Sequence, residues 1–569
     1  MRTLSYIAAG VFALTLHAQD PVSPALPPRE PLQVPTRVGV LGQTSISLPE
    51  VIQRALANNR DLAVSQIARQ EAVLNIKGAR GYYDPNLGMN AYRVKSVTPV
   101  SSVLGGSADG KLTQKELYAD PELNGLSPFL GGTYKLDFAS ARQYTDSDFA
   151  TLNPQFPTSL NLNLTQPLWR GLRFDANRYR VQVARKNRGL TDEQFRQRVI
   201  EISTQAIQAY WELEFAYRNL GVQVEAVRLA EQQDASNRRQ VDQGLLAPAD
   251  VIQTQTQIAT YQQNVFIAQE ALTRAENTLK ALVLVNRNDM LWGAALIPET
   301  RPDTRPYAPS LEESVKHALA ARPELAQSAI NIDINKLDAR LSREQAKPQI
   351  DAVATLGVQG LAGRPVPATA NPFSASFIPL ITELDELSAL AGLPPAPPIS
   401  FGSTQVPAMF VGGYSKSLEG LKNGTFPTAQ VGVQMNLPIR NRTAEANAAI
   451  SVLEGKRLQT QRDQLAMSIE ADVRNTLQAL ESSRARLTAA VLARKSAEDQ
   501  YASEQRQFQA GTSSVFLVLQ RQTELISARS REARAEADLA IATADLDRAT
   551  ARTMETQNIS IAGTGATYK

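Results

Sequence analysis

The sequence predicts a mainly α-helical chain with a membrane-spanning β-barrel portion, built from one helix–strand–strand–long helix–turn–helix unit used twice. Three observations lead there. Landmark residues recur in the same order at nearly constant spacing, the long helical segments keep a seven-residue apolar rhythm, and runs of alternating apolar and polar residues lie between helices at matching places in both halves.

The duplication sets the domain plan. Leu48-Pro49-Glu50-Val51 followed by Asp61-Leu62-Ala63 returns as Leu311-Glu312-Glu313-Ser314 followed by Glu324-Leu325-Ala326, an offset of 263 residues. Thr165-Gln166-Pro167-Leu168 returns as Asn436-Leu437-Pro438-Ile439 at 271, Gln208-Ala209 as Gln478-Ala479 at 270, and Gly244 as Gly511 at 267. The first unit spans residues 45–285 and the second 309–552, with a connecting segment over 286–308 and a C-terminal tail over 553–569.

The N-terminus, Met1-Arg2-Thr3-Leu4 and then an apolar run to Leu16 before His17-Ala18-Gln19, has the form of a secretory signal over residues 1–18. Residues 19–44 follow as a tether; Pro21, Pro24, Pro27, Pro28, Pro31 and Pro35 prevent a helix there. No later segment holds 18 consecutive apolar residues, so an exported chain of this kind is expected in the periplasm, outside the cell, or in the outer membrane as a β-barrel. Cysteine is absent, which removes disulfides, thiolate ligands and an N-terminal lipid anchor. A net charge of +3 on 569 residues gives no electrostatic case for nucleic acid.

Each unit begins with a helix, Leu48 to about Arg80 in the first and Leu311 to about Ala346 in the second. Strand segments follow: 86–95, 132–144 and 159–168 in the first unit, 350–360 and 429–439 in the second. Leu160-Asn161-Leu162-Asn163-Leu164 and Val431-Gly432-Val433-Gln434-Met435 alternate as a strand does with lipid on one face and water on the other. One strand pair per unit is expected, so one of the first unit's three segments continues another or does not cross. The stretches Thr98–Leu130 and Leu361–Thr428, rich in Gly, Pro and Ser, are expected as external loops.

Long helices come next, 172–243 and 443–510. Phe195, Val199, Ile202, Ala206, Tyr210, Leu213, Tyr217, Leu220, Val224 and Val227 are spaced 4,3,4,4,3,4,3,4,3, the signature of helices wound about one another. The second unit repeats the style at Leu458, Leu465, Ile469, Val473, Leu477, Leu480, Leu487 and Val491. Shorter helices, 248–283 and 514–550, close each unit, so one long helix can pack along two short ones placed end to end. Between long and short helix, Gly244 and Gly511 can take the left-handed conformation that ends a helix. Pro248 suits a first turn, Ser513 or Ser514 can cap, and Asp250 suits the helix dipole.

The order of signal, two repeats, strands, coiled-coil-like helices and the turns Gly-Leu-Leu-Ala-Pro-Ala-Asp-Val and Gly-Thr-Ser-Ser-Val resembles the TolC-like outer-membrane factor family, as does Gln-Pro-Leu-Trp-Arg-Gly over 166–171. The resemblance covers roughly Ser45 to Arg552. It implies a homotrimer whose subunits each give four strands to a 12-stranded barrel in the outer membrane, continued by a 12-helix α-barrel in the periplasm. It implies a passive conduit, the exit duct of a tripartite efflux pump or type I secretion system. Such a conduit opens when a periplasmic adaptor protein and an inner-membrane pump of the resistance-nodulation-division or ABC type engage its tip. Carried over by position, Gly244, Leu245, Leu246, Gly511, Thr512 and Ser513 face the adaptor. Asp250 matches the acidic gate site, but Leu517 and Gln520 stand where acids are common in the second unit and Ser513 replaces a basic residue. The expectation is closure by packing of Phe508, Val515 and Leu517 rather than by charge rings.

Two other classes compete. An exported coiled-coil scaffold without a pore shares the heptads but needs no alternating strands. An enzyme has little to work with. Glu383, Asp385 and Glu386 are acids on an amphipathic loop helix, Gly105 to Lys111 has the phosphate-loop spacing but Leu112 where the magnesium-binding hydroxyl belongs, and His317 has no evident Ser partner. Neither cofactor nor metal is expected, and catalysis is rejected.

Overall fold

The structure is a computed structural model that describes residues 36–101, 109–303, 309–366, 372–395 and 406–560. The signal, most of the tether, the end of the tail and Gly105 to Ala108 of the phosphate-loop-like run lie outside these residues. In chain order the elements are β1 (Gly42–Ile46), α1 (Leu48–Asn58), α2 (Arg60–Arg80), β2 (Asn86–Pro99), β3 (Lys111–Leu126), β4 (Thr133–Thr145), β5 (Leu152–Pro167), α3 (Ala176–Asp242), α4 (Pro248–Val283), β6 (Ala294–Pro298), α5 (Leu311–Ala321), α6 (Pro323–Gln345), β7 (Gln349–Pro365), α7 (Pro372–Leu390), α8 (Tyr414–Lys422), β8 (Phe426–Asn436), α9 (Arg442–Gln509), α10 (Val515–Ala549) and α11 (Thr553–Thr556). The described residues fall into two compact units that each draw on both halves of the sequence: those within 36–66, 194–323 and 465–560 form one, and those within 67–193 and 324–464 the other.

In the first of these compact units, apolar residues of α1, α3, α4 and α10 close around Tyr210, Ile202, Leu213, Leu279 and Val51, all essentially without solvent contact. The heptad positions Phe195 through Leu213 are buried, whereas Tyr217 and Val224 further along the same stripe are 41% exposed. The short parallel pair β1–β6 is fixed to this core by a buried charge cluster. The Lys280 ammonium donates to Glu276 Oε1 at 2.6 Å and to the carbonyls of Trp292 (3.0 Å) and Ala294 (2.6 Å), while Arg37 donates to Glu276 Oε2 at 2.6 Å. Each buried charge therefore has a partner, the condition under which burial is tolerated.

The opening helix of each half is broken, where the sequence suggested one continuous helix. Asn59 has ψ 129° and its side chain accepts from the backbone N–H groups of Asp61 (2.9 Å) and Leu62 (3.2 Å), capping α2. Arg322 has ψ 123° because Pro323 disfavours the α conformation in the residue before it. The break lets the Arg322 guanidinium donate to the Ala549 carbonyl at 2.8 Å and pair with Asp472.

The second compact unit is built on a six-stranded antiparallel sheet of order β2-β3-β4-β5-β7-β8. This corrects the strand expectation: the first half supplies four strands, and Lys111–Leu126, expected in a loop, is β3. Its outward positions include Lys111, Lys115 and Pro121, which hide the alternation. The other expected loop, 361–428, contains the end of β7 and the helices α7 and α8.

Register places one chemistry on each face. A single outward rung, Leu87–Leu123–Leu136–Leu162–Leu356–Ala429, crosses all six strands, and the adjacent inward rung is Gly88–Glu122–Asp137–Asn161–Gly357–Thr428. On β7 and β8 the apolar face runs from Ile350–Met435 to Val358–Pro427, about 27 Å of strand. The inward face is stitched by polar bonds: Lys135 to Glu122 at 2.7 Å, Asn161 to Asp137 at 2.8 Å and Thr355 to Asn163 at 2.9 Å. α8 lies against β5 and β7 beyond the apolar band, where Thr158 and Ser417 hydroxyls meet at 2.7 Å. Gly360 permits this approach, since a Cβ there would lie 2.1 Å from the Ser417 carbonyl oxygen.

Candidate docking tips at the helix turns

The turns after α3 and α9 share one backbone solution. Leu245 N–H reaches the Gln240 carbonyl at 2.8 Å and Gly244 N–H reaches Val241 at 2.9 Å, with Gly244 at φ +73°. Thr512 N–H reaches Gln507 at 2.9 Å and Gly511 N–H reaches Phe508 at 3.0 Å, with Gly511 at φ +75°. This double closure satisfies the last carbonyls of a helix and requires a left-handed residue, hence glycine. The following helices start differently. α4 begins with Pro248 behind an uncapped Ala247, while in α10 Ser514 accepts from Leu517 N–H at 3.5 Å.

The predicted tip residues separate by exposure. Gly244, Leu245, Gly511 and Thr512 face solvent, Leu245 at 71%. Leu246 folds inward against a cluster of Tyr501, Phe508, Val515, Val518, Leu519 and Leu525, so the two tips of one chain touch. Ser513 donates to the Glu504 carboxylate, a partner nine residues upstream that sequence reading did not identify. Of the gate candidates, Phe508 (7% exposed) and Val515 (1%) are interior to the α9–α10 hairpin, Leu517 and Asp250 are partly exposed, and Gln520 donates to Glu524 at 3.4 Å. Phe516, outside the set predicted from sequence, is more exposed than Leu517.

Below the first tip the hairpin interior is polar. Gln233 donates to Asn237 at 2.7 Å, Asn237 to the Thr254 hydroxyl at 2.8 Å, and Thr254 to the Asp250 carbonyl at 2.9 Å. Asp234, also buried, accepts from Arg238 at 2.8 Å. Further along α9 and α10, Arg529 and Arg494 hold Glu498 at 3.0 and 2.9 Å, and the Arg529 hydrogen bond keeps that carboxyl below its usual range. His317 is tied through Nδ1 to the Thr550 carbonyl at 2.8 Å, and Glu383 and Glu386 stand exposed on α7.

A sheet with one lipid-compatible face and paired helical hairpins ending in exposed glycine turns define the fold of an outer-membrane channel subunit. The family model for outer membrane efflux proteins matches residues 133–283 and 405–552, more than half of the chain, and the chain belongs to that family. β2 and β3 lie outside the matched residues. Solved structures agree in fold. The chain is similar to CusC (16% identity, covering 94% of this chain and 99% of that one, TM-score 0.58). It is also similar to the CmeC outer membrane channel of Campylobacter jejuni (14%, 94% and 98%, 0.57) and to MtrE of Neisseria gonorrhoeae, crystallised in an open state (15%, 92% and 97%, 0.53). No curated protein matches.

Proposed function

We propose that this chain forms a homotrimeric outer-membrane channel, the exit duct of a tripartite efflux pump or type I secretion system, opened at its periplasmic tips by an adaptor and an inner-membrane pump. The observation that carries the proposal is the open six-stranded sheet. Among the described residues, β2, 14 residues long, and β8, 11 residues long, have no partner on their outer edges, and both share the outward apolar band. In hydrocarbon an open edge leaves backbone groups unsatisfied, so the sheet must close by pairing β8 of one copy with β2 of the next. Alternate strand directions make that junction antiparallel. Three copies of six strands make eighteen rather than the twelve that the family resemblance implies, and barrel diameter grows roughly in proportion to strand number. The half-exposed heptad positions of α3, among them Val224, are the surfaces for neighbouring copies in the α-barrel.

Native mass and pore conductance of the detergent-purified chain test the assembly. Three copies with a conducting pore are expected. Two copies closing twelve strands would refute the strand count, and a chain released by salt without detergent would favour a poreless scaffold. Because the sequence has no cysteine, Leu245→Cys and Thr512→Cys give clean crosslinking positions. Both are expected to capture an adaptor, and failure of both would remove the docking role. For the gate, tighter closure should depend on Leu517; closure abolished by Asp250→Asn and untouched by Leu517→Ala would refute gating by packing.

A further inference from the structure

Beyond the apolar band the outward face of β2–β4 turns abruptly basic. Counting away from the helices, the rungs led by Leu87, Met89 and Ala91 carry no charge outward. The next is Arg93–Leu117–Arg142, and the one after it Lys95–Lys115–Tyr144. All four cations are exposed, and the Lys115 ammonium sits 5.5 Å from the centre of the Tyr144 ring. Among the described residues none of the four makes an ion pair. Glu116, nearest in sequence, points to the other face, where it accepts from Gln143 at 3.1 Å. Asp146, one rung further out, accepts from the Thr113 N–H at 2.6 Å. At the same height on β5 and β7 the outward face is covered by α8, which confines the patch to three strands.

Lys95 and Lys115 stand directly opposite each other, an arrangement that destabilises a strand pair unless a counter-charge intervenes. Single basic side chains at a membrane boundary are ordinary, since they reach toward headgroups. Four within two rungs, with two of them opposed, ask for a multiply charged anion held at a fixed height above hydrocarbon. A free anion in solution would gain nothing from the apolar rungs beneath. A lipid headgroup gains from both surfaces.

We propose that Arg93, Lys95, Lys115 and Arg142 form a binding site for the phosphate groups of an anionic outer-leaflet lipid, whose acyl chains lie along the apolar rungs of β2–β4. The site rests on the reading of this sheet as membrane-spanning with its Pro99–Lys111 end outward. Charges at a membrane surface contribute about 1 kcal/mol each, so four together amount to several hundred-fold in affinity, reduced by incomplete engagement.

The test uses the full-length assembly in neutral phosphatidylcholine nanodiscs, titrated with lipid A bearing two phosphates and read by native mass spectrometry. Wild type is expected to retain the lipid, and Arg93→Gln/Lys95→Gln/Lys115→Gln/Arg142→Gln to bind at least about tenfold more weakly. Lys416→Gln on α8 is the charge control and should bind as wild type does. Dephosphorylated lipid A should not be retained by any form, and millimolar inorganic phosphate should not displace the bound lipid. Equal retention by wild type and the quadruple variant, or displacement by inorganic phosphate, would overturn the site while leaving the channel intact. Failure of both forms to enter nanodiscs would instead overturn the membrane reading beneath it.

Discussion

The α3–α4 and α9–α10 hairpins end in the same turn and are filled with opposite chemistry. At a spacing of 267 residues, Asp234, Asn237 and Val241 of the first stand where the second has Tyr501, Glu504 and Phe508. The first interior is a hydrogen-bonded chain from Gln233 through Asn237 to Thr254; the second is an apolar cluster that also receives Leu246 from its neighbour. Turn geometry is therefore set by the glycine and the last carbonyls, independently of what fills the hairpin. A polar chain forfeits less hydrophobic free energy when its helices part, so separating α3 from α4 at this end is expected to cost less than separating α9 from α10.

The bases of the short helices diverge in the same manner. Lys280 on α4 and Asp547 on α10 occupy equivalent positions at the 267-residue spacing. Lys280 is matched by Glu276 and two carbonyls, and Glu276 by Arg37. Removing the cation by Lys280→Ala leaves a buried carboxylate short of its partner and should cost about 3–5 kcal/mol. Hydrogen exchange along the base of α4 and β6 should accelerate by two orders of magnitude or more, with α10 unaffected. Equal acceleration in both hairpins would mean that the bases act as one block and that the contrast between them is only chemical.

At the tips, Phe508→Ala should loosen the α9–α10 end by about 3 kcal/mol, the lower part of the range for a buried aromatic because the site lies next to solvent. Asn237→Ala breaks the polar chain at its centre and should cost the α3–α4 end about 1–2 kcal/mol. Amide exchange of residues 236–256 and 503–523 reads both. A larger loss from Asn237→Ala than from Phe508→Ala would reverse the ranking of the two interiors.

Much of this contrast was hidden in the sequence for physical reasons. The turns were legible because glycine, proline and serine act locally, and the long helices because their period survives averaging over many residues. Phe508 and Val515 could be read as apolar positions near the tip, but only packing decides that they fill the hairpin. Glu504 was missed since its bond to Ser513 closes across a turn whose fold had to be known first. β3 was missed because its outward positions, which should be apolar, include Lys111, Lys115 and Pro121. The breaks at Asn59 and Arg322 disappear when a helix is read by its apolar stripe, although Pro323 marks one of them.

Asp547 offers a pH-dependent handle on the α10 base. Burial pushes its carboxyl up to about 6 from an ordinary value of 3.8, with hydrogen bonding to Thr556 and the charge of Arg552 acting the other way. The folded state then holds the proton more tightly than the unfolded chain does. Its contribution is most favourable below about pH 4 and is lost as pH rises through about 6, so the base is weaker at neutral pH. Asp547→Asn should gain about 1–2 kcal/mol at pH 7.5 and flatten the dependence between pH 4 and 6. Exchange of α10 amides at both pH values measures this. A loss of protection at pH 7.5 would mean that the charged form is the one the fold uses.

The smallest expected effect tests the separation of turn from interior. A Cβ at Gly244 or at Gly511 would meet nothing within 4 Å, so replacing either by alanine adds no clash and costs only the positive φ, about 1 kcal/mol. The two costs should agree within about 0.5 kcal/mol although one hairpin is polar and the other apolar, because neither side chain reaches the interior. Paired measurements of tip exchange in Gly244→Ala and Gly511→Ala give the comparison directly. A markedly greater loss at Gly511 would show that its turn is held under tension by the apolar cluster below it, and the two tips would then have to be treated as different hinges rather than one hinge on two fillings.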